Sequence, residues 1–342
     1  MTPEKISCIL VGCGGISKTW LTPLMNMPDA DITALVDLRP EQAARRQQEF
    51  GLEHAYVTAS LADAIERVCP DVVFDCTVPE SHVDITLTAL SKGCHVLGEK
   101  PLADTMEHAR RMVRAAQEAD KIYAVIQNRR YQAPIMQFRD VVQSDELRGL
   151  TTLNADFYIG AHFGGFRDVM PHVLLLDMAI HTFDQARLIS GQDPAAVYCH
   201  EWNPRGSWYA HGASAVAIFT MTNGVVFTYR GSWCAEGRPT SWQAEWRAVC
   251  RQGTAFWDGE QQVTASTVAE TDEFIRAGQP LDIPAAPKLP LTDHAAIIRE
   301  FLDCVKTGNT PQTVCTDNIK SLAMVHAAIQ SAETDQRVEI EV

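Results

Sequence analysis

The sequence predicts two domains. The first is an α/β domain on a doubly wound parallel sheet; the second is an α+β domain whose large, mostly antiparallel open sheet packs on helices. Three observations carry this. Residues 1–126 alternate apolar runs with amphipathic helical patterns, as a parallel sheet wound with helices does. Beyond them, strand-like runs follow one another with Gly or Asn-Gly turns between, which suggests antiparallel pairing. At 342 residues the chain also exceeds what one core usually organises. The expected division is 1–126 and 127–342.

"KISCILVG" (5–12) is continuous and β-branched, as a strand buried on both faces should be. A helix is expected from Ser17 to Met27, then a strand in "ADITALVD" (30–37). Pro40 suits a first helical turn, and "EQAARRQQEF" continues it. "DVVFDCTV" (71–78), "CHVLGE" (94–99) and "KIYAVIQN" (121–128) read as later strands. Helices are expected between them at 80–93, where Gly93 fits a C-terminal cap, and at 104–120. In the second domain a helix is expected at 134–147. Strands follow at 151–160, 212–221, 224–233, 241–250 and 253–257, with one helical insertion at 172–190. The Pro-rich run 279–291 reads as a loop, and helices at 292–307 and 316–333 close the chain.

Composition narrows the function. Hydrophobic residues make up 46% and charged ones 21%, which is ordinary globular material. No apolar run approaches the ~20 residues of a membrane span. The N-terminus lacks the pattern of a secretory leader, so a soluble, cytoplasmic protein is expected. A net charge of −14 argues against a nucleic-acid partner. The ten cysteines form no C-x-x-C pair, which fits a reducing compartment and gives no zinc motif.

"ILVGCGGIS" supplies Gly12, Gly14, Gly15, Ile16 and Ser17. Gly12 can make the tight turn leaving the strand, Gly14 lets backbone approach a pyrophosphate, and Ser17 is small enough for helix–strand packing. Amides at the helix start then favour an anion. Asp37 closes the second strand 20 residues past Ser17, the place of a carboxylate that binds the adenosine ribose. This reads as a Rossmann dinucleotide site. Asp37 should repel a 2′-phosphate, which favours NAD; Arg39 could offset that and keeps NADP open. The bland alternative is a turn glycine cluster and a strand-end Asp.

Two further groups stand out. A buried strand ends in Glu99, Lys100 and Pro101, which a solvated charge pair would also explain. Asp177 and His181 are spaced i, i+4, so a helix puts both on one face. Alone, His181 could be a satisfied polar residue on an apolar helix. Together "GCGGIS", "GEKP" and "DMAIH" resemble the Gfo/Idh/MocA oxidoreductase family, along nearly the whole chain.

The resemblance implies a fold and a chemistry. The E-K-P motif falls on Glu99, Lys100 and Pro101. Lys100 would hydrogen-bond the reacting hydroxyl and stabilise its alkoxide character, and Glu99 would contact cofactor or orient Lys100. Asp177 would touch substrate and His181 serve as acid/base. The expected activity is NAD(P)-dependent hydride transfer at a secondary hydroxyl of a sugar, polyol or sugar-derived acid, with no metal. Alternatives are an NAD-dependent glycosidase with transient redox and a non-catalytic dinucleotide-binding sensor. Thr77, Pro79, His82, Gln127 and Asn128 are further candidate cofactor contacts, with helix capping open for His82. Arg167 and His172 are candidate substrate contacts. Many relatives carry glycines just before the aspartate, where this chain has "PHVLLLD", so the pocket is expected to be reshaped. Six of seven tryptophans lie between 202 and 257; sheet or interface packing suits them better than sugar stacking. The resemblance also implies a homodimer or homotetramer.

Overall fold

The computed structural model describes residues 5–342 except 270 and 272. By contact the chain divides into two units. One ends at Asn128 and takes in Leu291–Leu322; the other is Arg129–Pro290 with Ala323–Val342.

In the first unit the strands are β1 (Ile6–Val11), β2 (Ala30–Val36), β3 (Tyr56–Thr58), β4 (Val72–Asp75), β5 (His95–Gly98) and β6 (Tyr123–Val125). They are separated by α1 (Ser17–Leu24), α2 (Pro40–Glu49), α3 (Leu61–Val68), α4 (Pro79–Ser91) and α5 (Met106–Glu118). All pair in parallel, in the order β3-β2-β1-β4-β5-β6. That is the doubly wound order, whose ligand crevice lies outside the carboxyl ends of the strands. Every residue of β4 is buried, and β1 has one half-exposed position, because helices cover both faces of a parallel sheet.

The second unit carries α6 (Ala133–Val142), β7 (Leu150–Tyr158), α7 (Phe166–Val169), a π-helical turn (Leu174–Ala179) and α8 (Ile180–Ser190). Then come β8 (Pro194–Trp202), β9 (Ser214–Met221), β10 (Val226–Ser232), β11 (Glu245–Cys250), β12 (Gly253–Trp257), β13 (Val263–Val268) and β14 (Gly278–Pro280). The last elements of the chain are α9 (Asp293–Thr307), α10 (Cys315–Thr334) and β15 (Val338–Glu339). Nine strands form one sheet, β14-β13-β12-β11-β7-β10-β9-β8-β15.

Its pairs are antiparallel except β7 with β10. Parallel neighbours need a long crossover, and the stretch with α8, β8 and β9 supplies it. Phe183 of α8 stands edge-on to Phe219 at 4.8 Å and to Tyr229 at 5.3 Å. Trp233, Trp246 and Trp257 are fully buried, so half of the clustered tryptophans are sheet packing.

The observed elements depart from the expected ones at several places. Residues 291–322 group with the first unit because α9 packs along α1 and its Arg299 binds Asp29 at 2.8 Å. The expected helix at 172–190 begins as a π turn. Strands β3, β8, β13 and β15 and helix α3 are not expected from the sequence, and β14 enters the run 279–291 expected as loop. All ten cysteines are free, and burial pushes the Cys94 and Cys250 thiols up to about 11. No helix among the described residues is long and apolar enough to cross a membrane.

One buried ion pair ties the second unit to its own first residues. Nε and Nη2 of Arg130 donate to the two oxygens of Asp184 on α8, each at 2.6 Å. Their side chains are 7% and 2% exposed. Removing one partner strands a buried charge, so Asp184→Ala should destabilise the protein by about 3–5 kcal/mol, read from urea unfolding. A loss under ~1 kcal/mol would show that the pair is dispensable.

Candidate active site

The turn after β1 is built on a close approach. Gly12 has φ +87°, and a Cβ there would lie 2.7 Å from the carbonyl carbon of Cys76 and 2.9 Å from the amide of Thr77. Only glycine fits. Around Gly14 and Gly15 no atom comes within 4 Å of a built Cβ, so the loop's outer edge is open. Ile16 is exposed beside it at the start of α1. Ser17 is fully buried; its hydroxyl donates to the Gly14 carbonyl at 2.6 Å and accepts from Arg46 Nε at 2.8 Å. Arg46 Nη2 donates to the same carbonyl at 2.7 Å. Arg46 was not expected here; within a charged helix nothing distinguishes it.

Asp37 accepts from the Cys13 amide at 2.8 Å and from the Arg39 amide at 2.9 Å. Its carboxylate is thereby fixed beside the glycine loop, while Arg39 itself is exposed. An open glycine edge, amides at a helix start and a fixed acid on the next strand suit a dinucleotide.

The neighbouring strand ends continue this edge. Asp75 closes β4 and is buried; it accepts from the Thr77 hydroxyl at 2.6 Å and pairs with His82 Nδ1 at 2.8 Å. Burial disfavours the protonated ring, but the Asp75 carboxylate outweighs it and raises the His82 pKa. His82 therefore braces the turn from inside the first unit. Pro79 is the first residue of α4.

Glu99 is likewise turned inward. Oε1 accepts from the Trp20 indole N–H at 2.8 Å and lies 3.9 Å from His294 Nε2; Oε2 accepts from the Lys100 amide at 3.0 Å. Burial raises its pKa, but the facing His294 and the Trp20 N–H outweigh that and lower it. This is an orienting arrangement for Lys100, which is half-buried and precedes Pro101 through a cis peptide. Gln127 is buried just past β6 and its Nε2 has no hydrogen-bond partner. Such an orphan donor calls for a ligand or water. Asn128 opens the 3-10 turn Asn128–Arg130.

In the second unit Asp177 lies in the π turn and His181 in the first turn of α8. π turns widen a helix by one residue and recur at functional sites. Arg167 grips both Asp177 oxygens, at 2.7 and 3.3 Å. The guanidinium also lies 4.9 Å from the Phe163 ring and 4.7 Å from the Phe166 ring. Phe163, Phe166 and Trp242 are exposed, and Phe163 and Trp242 lie 6.4 Å apart. Of the three leucines before Asp177, Leu174 and Leu175 enter the core and only Leu176 is partly exposed. His172 is not part of this group. It has φ +50° and pairs with Glu201 at 2.5 Å and Glu333 at 3.4 Å.

Residues 6–127 match the model of the oxidoreductase family with an NAD-binding Rossmann fold, and residues 135–256 that of the GFO/IDH/MocA C-terminal domain. The chain belongs to the Gfo/Idh/MocA oxidoreductase family. Residues 6–127 are that family's NAD-binding Rossmann fold. The chain is 26% identical to a D-apiose dehydrogenase of Paraburkholderia graminis, over 99% of this chain and 91% of the relative. It is 24% identical to a 1,5-anhydro-D-fructose reductase of Ensifer adhaerens, over 97% and 98%. An oxidoreductase from Agrobacterium radiobacter, solved with NAD+, L-tartaric acid and magnesium, superposes with a TM-score of 0.85 at 21% identity, covering 98% of each chain.

The hydrogen bond to Glu201 raises the His172 pKa against a smaller effect of burial. A raised folded-state pKa adds stability that is complete below the unfolded-state value of about 6.5 and is lost as pH rises through the folded-state value. The unfolding free energy of the wild type relative to His172→Gln should therefore be larger at about pH 6 than at about pH 9. Denaturant unfolding at both pH values checks this; a constant difference would remove the pair from the pH response.

Proposed function

We propose that the protein oxidises a secondary hydroxyl of a sugar, polyol or sugar-derived acid, or reduces the matching ketone, with NAD as the preferred cofactor. One observation carries this reading. The glycine turn, Asp75 and Lys100 form one connected edge: the Gly12 turn rests on the Cys76 backbone, and the Glu99 amide donates to the Asp75 carbonyl at 2.8 Å. Lys100 thus leaves β5 beside the dinucleotide loop, outside the carboxyl ends of the strands.

Gly12, Gly14, Gly15, Ile16, Ser17 and Asp37 would hold the dinucleotide, with Thr77, Pro79, Gln127 and Asn128 further along the same edge. When bound, the nicotinamide supplies the hydride acceptor. Lys100 would donate a hydrogen bond to the reacting oxygen and favour its alkoxide character. His181 is the proposed acid/base. Asp177, held by Arg167, would accept from a neighbouring substrate hydroxyl, and the exposed rings of Phe163 and Trp242 offer apolar faces to a sugar. The named relatives, a D-apiose dehydrogenase and a 1,5-anhydro-D-fructose reductase, support the substrate class. A glycosidase or a sensor has no observation in its favour.

NADH absorbance across a panel including D-apiose, 1,5-anhydro-D-fructose and simple polyols tests the reaction; activity on none of them would refute this substrate class. Lys100→Met should leave NAD affinity nearly intact and lower turnover at least ~100-fold. Near-normal turnover would take Lys100 out of the mechanism. Asp37→Ala should weaken NAD more than NADP in fluorescence titrations, whereas equal weakening would undo the ribose assignment.

A further inference from the structure

We propose that His294 is a positioning residue for Lys100, acting through the buried Glu99 carboxylate. This rests on the reading of Lys100 as the group that donates a hydrogen bond to the reacting oxygen. The two oxygens of Glu99 have different tasks. Oε2 holds the Lys100 amide at 3.0 Å, while Oε1 receives the Trp20 N–H at 2.8 Å and faces His294 Nε2 at 3.9 Å. Glu99 is only 8% exposed. A carboxylate in such a place stays ionised only when polar partners offset its lost hydration. The Trp20 N–H donates to it and the His294 ring faces it, so the hydrogen bond that fixes the peptide of Lys100 depends on them.

The seat of His294 is itself well defined. Its ring stands edge-on to Trp20 at 6.3 Å. Farther along α9, Arg299 donates to Asp29 at 2.8 Å and Lys306 binds the same carboxylate. Those two cations hold the Asp29 carboxyl well below the usual carboxylate range, against burial. Helix α9 is thus anchored on the first unit independently of Glu99, and it presents His294 to Glu99 from that fixed position. A purely structural role would have His294 pack against Trp20 and nothing more.

Hydrogen exchange in the cofactor-free protein separates these roles without any substrate. In His294→Leu the amides of the peptide spanning residues 97–103 should exchange at least ~10-fold faster, and in His294→Gln, which keeps a donor, at close to the wild-type rate. Trp20→Phe, which keeps the ring and removes the N–H, should also speed exchange and serves if His294→Leu does not fold. With NAD and the best substrate of the panel, His294→Leu should lower kcat about 10-fold or more with KM changed under ~3-fold, and His294→Gln should recover most of it. In a Lys100→Met background His294→Leu should cost nothing further.

Unchanged exchange in both His294→Leu and Trp20→Phe overturns the proposal. So does equal impairment of the Leu and Gln variants, or the same loss of kcat with Lys100 already gone. Full turnover in Lys100→Met alone instead takes Lys100 out of the mechanism, and the exchange result still reports on the Glu99 clamp.

Discussion

Position 12 cannot carry a side chain, and the arrangement of the first unit's ligand edge depends on that. The turn after β1 lies so close to the exit of β4 that a methyl group would overlap the Cys76 carbonyl. This contact brings the glycine loop against the residues following Asp75. Asp75 then receives the Glu99 amide through its carbonyl, and Glu99 receives the amide of Lys100 through its side chain. A backbone constraint at one strand end is transmitted across two neighbouring strands to a single ammonium. Preorganisation of this kind leaves little freedom to be lost when substrate binds.

Buried charge is used in the same way in both units. Asp75 with His82, Glu99 with Trp20 and His294, and Arg130 with Asp184 each place an ionised group out of water and surround it with donors or a counter-charge. Such pairs add little net stability against well-packed apolar residues. Their value is geometric, since the contacts of each fix one arrangement of its partners. Two of the three lie directly behind the edge where the cofactor loop and Lys100 meet.

Much of this was legible in the sequence. Strands β1, β4 and β5 read as continuous apolar runs because helices cover both sheet faces, and the glycine turn has a spacing that only a close approach requires. The features that no local pattern carries are set by short length or by long range. Strand β3 has three residues, all half-exposed, too few for a period to show. The pairing of β7 with β10 and the return of α9 to the first unit are contacts between distant segments, which no local pattern encodes. The same holds for His294. The sequence marks its partner Glu99 as a cofactor or orienting contact, and only the fold shows which residues enclose it. For His82 the bracing of a turn by an inward-facing ring replaces an expected contact or cap. The expected Asp177–His181 face assumed regular α geometry, and "PHVLLLD" gives no sign of the wider winding.

That wider winding has an evolutionary reading. A π turn behaves as an α-helix into which one residue has been inserted. Deleting a single residue among 173–176 would let the segment rewind as regular α-helix, with the chain on either side keeping its place. Arg167 and its aromatic neighbours precede the turn, whereas His181 follows it. One-residue gains and losses at this point are therefore absorbed within a single turn, and Arg167 before it and His181 after it keep their places in the second unit.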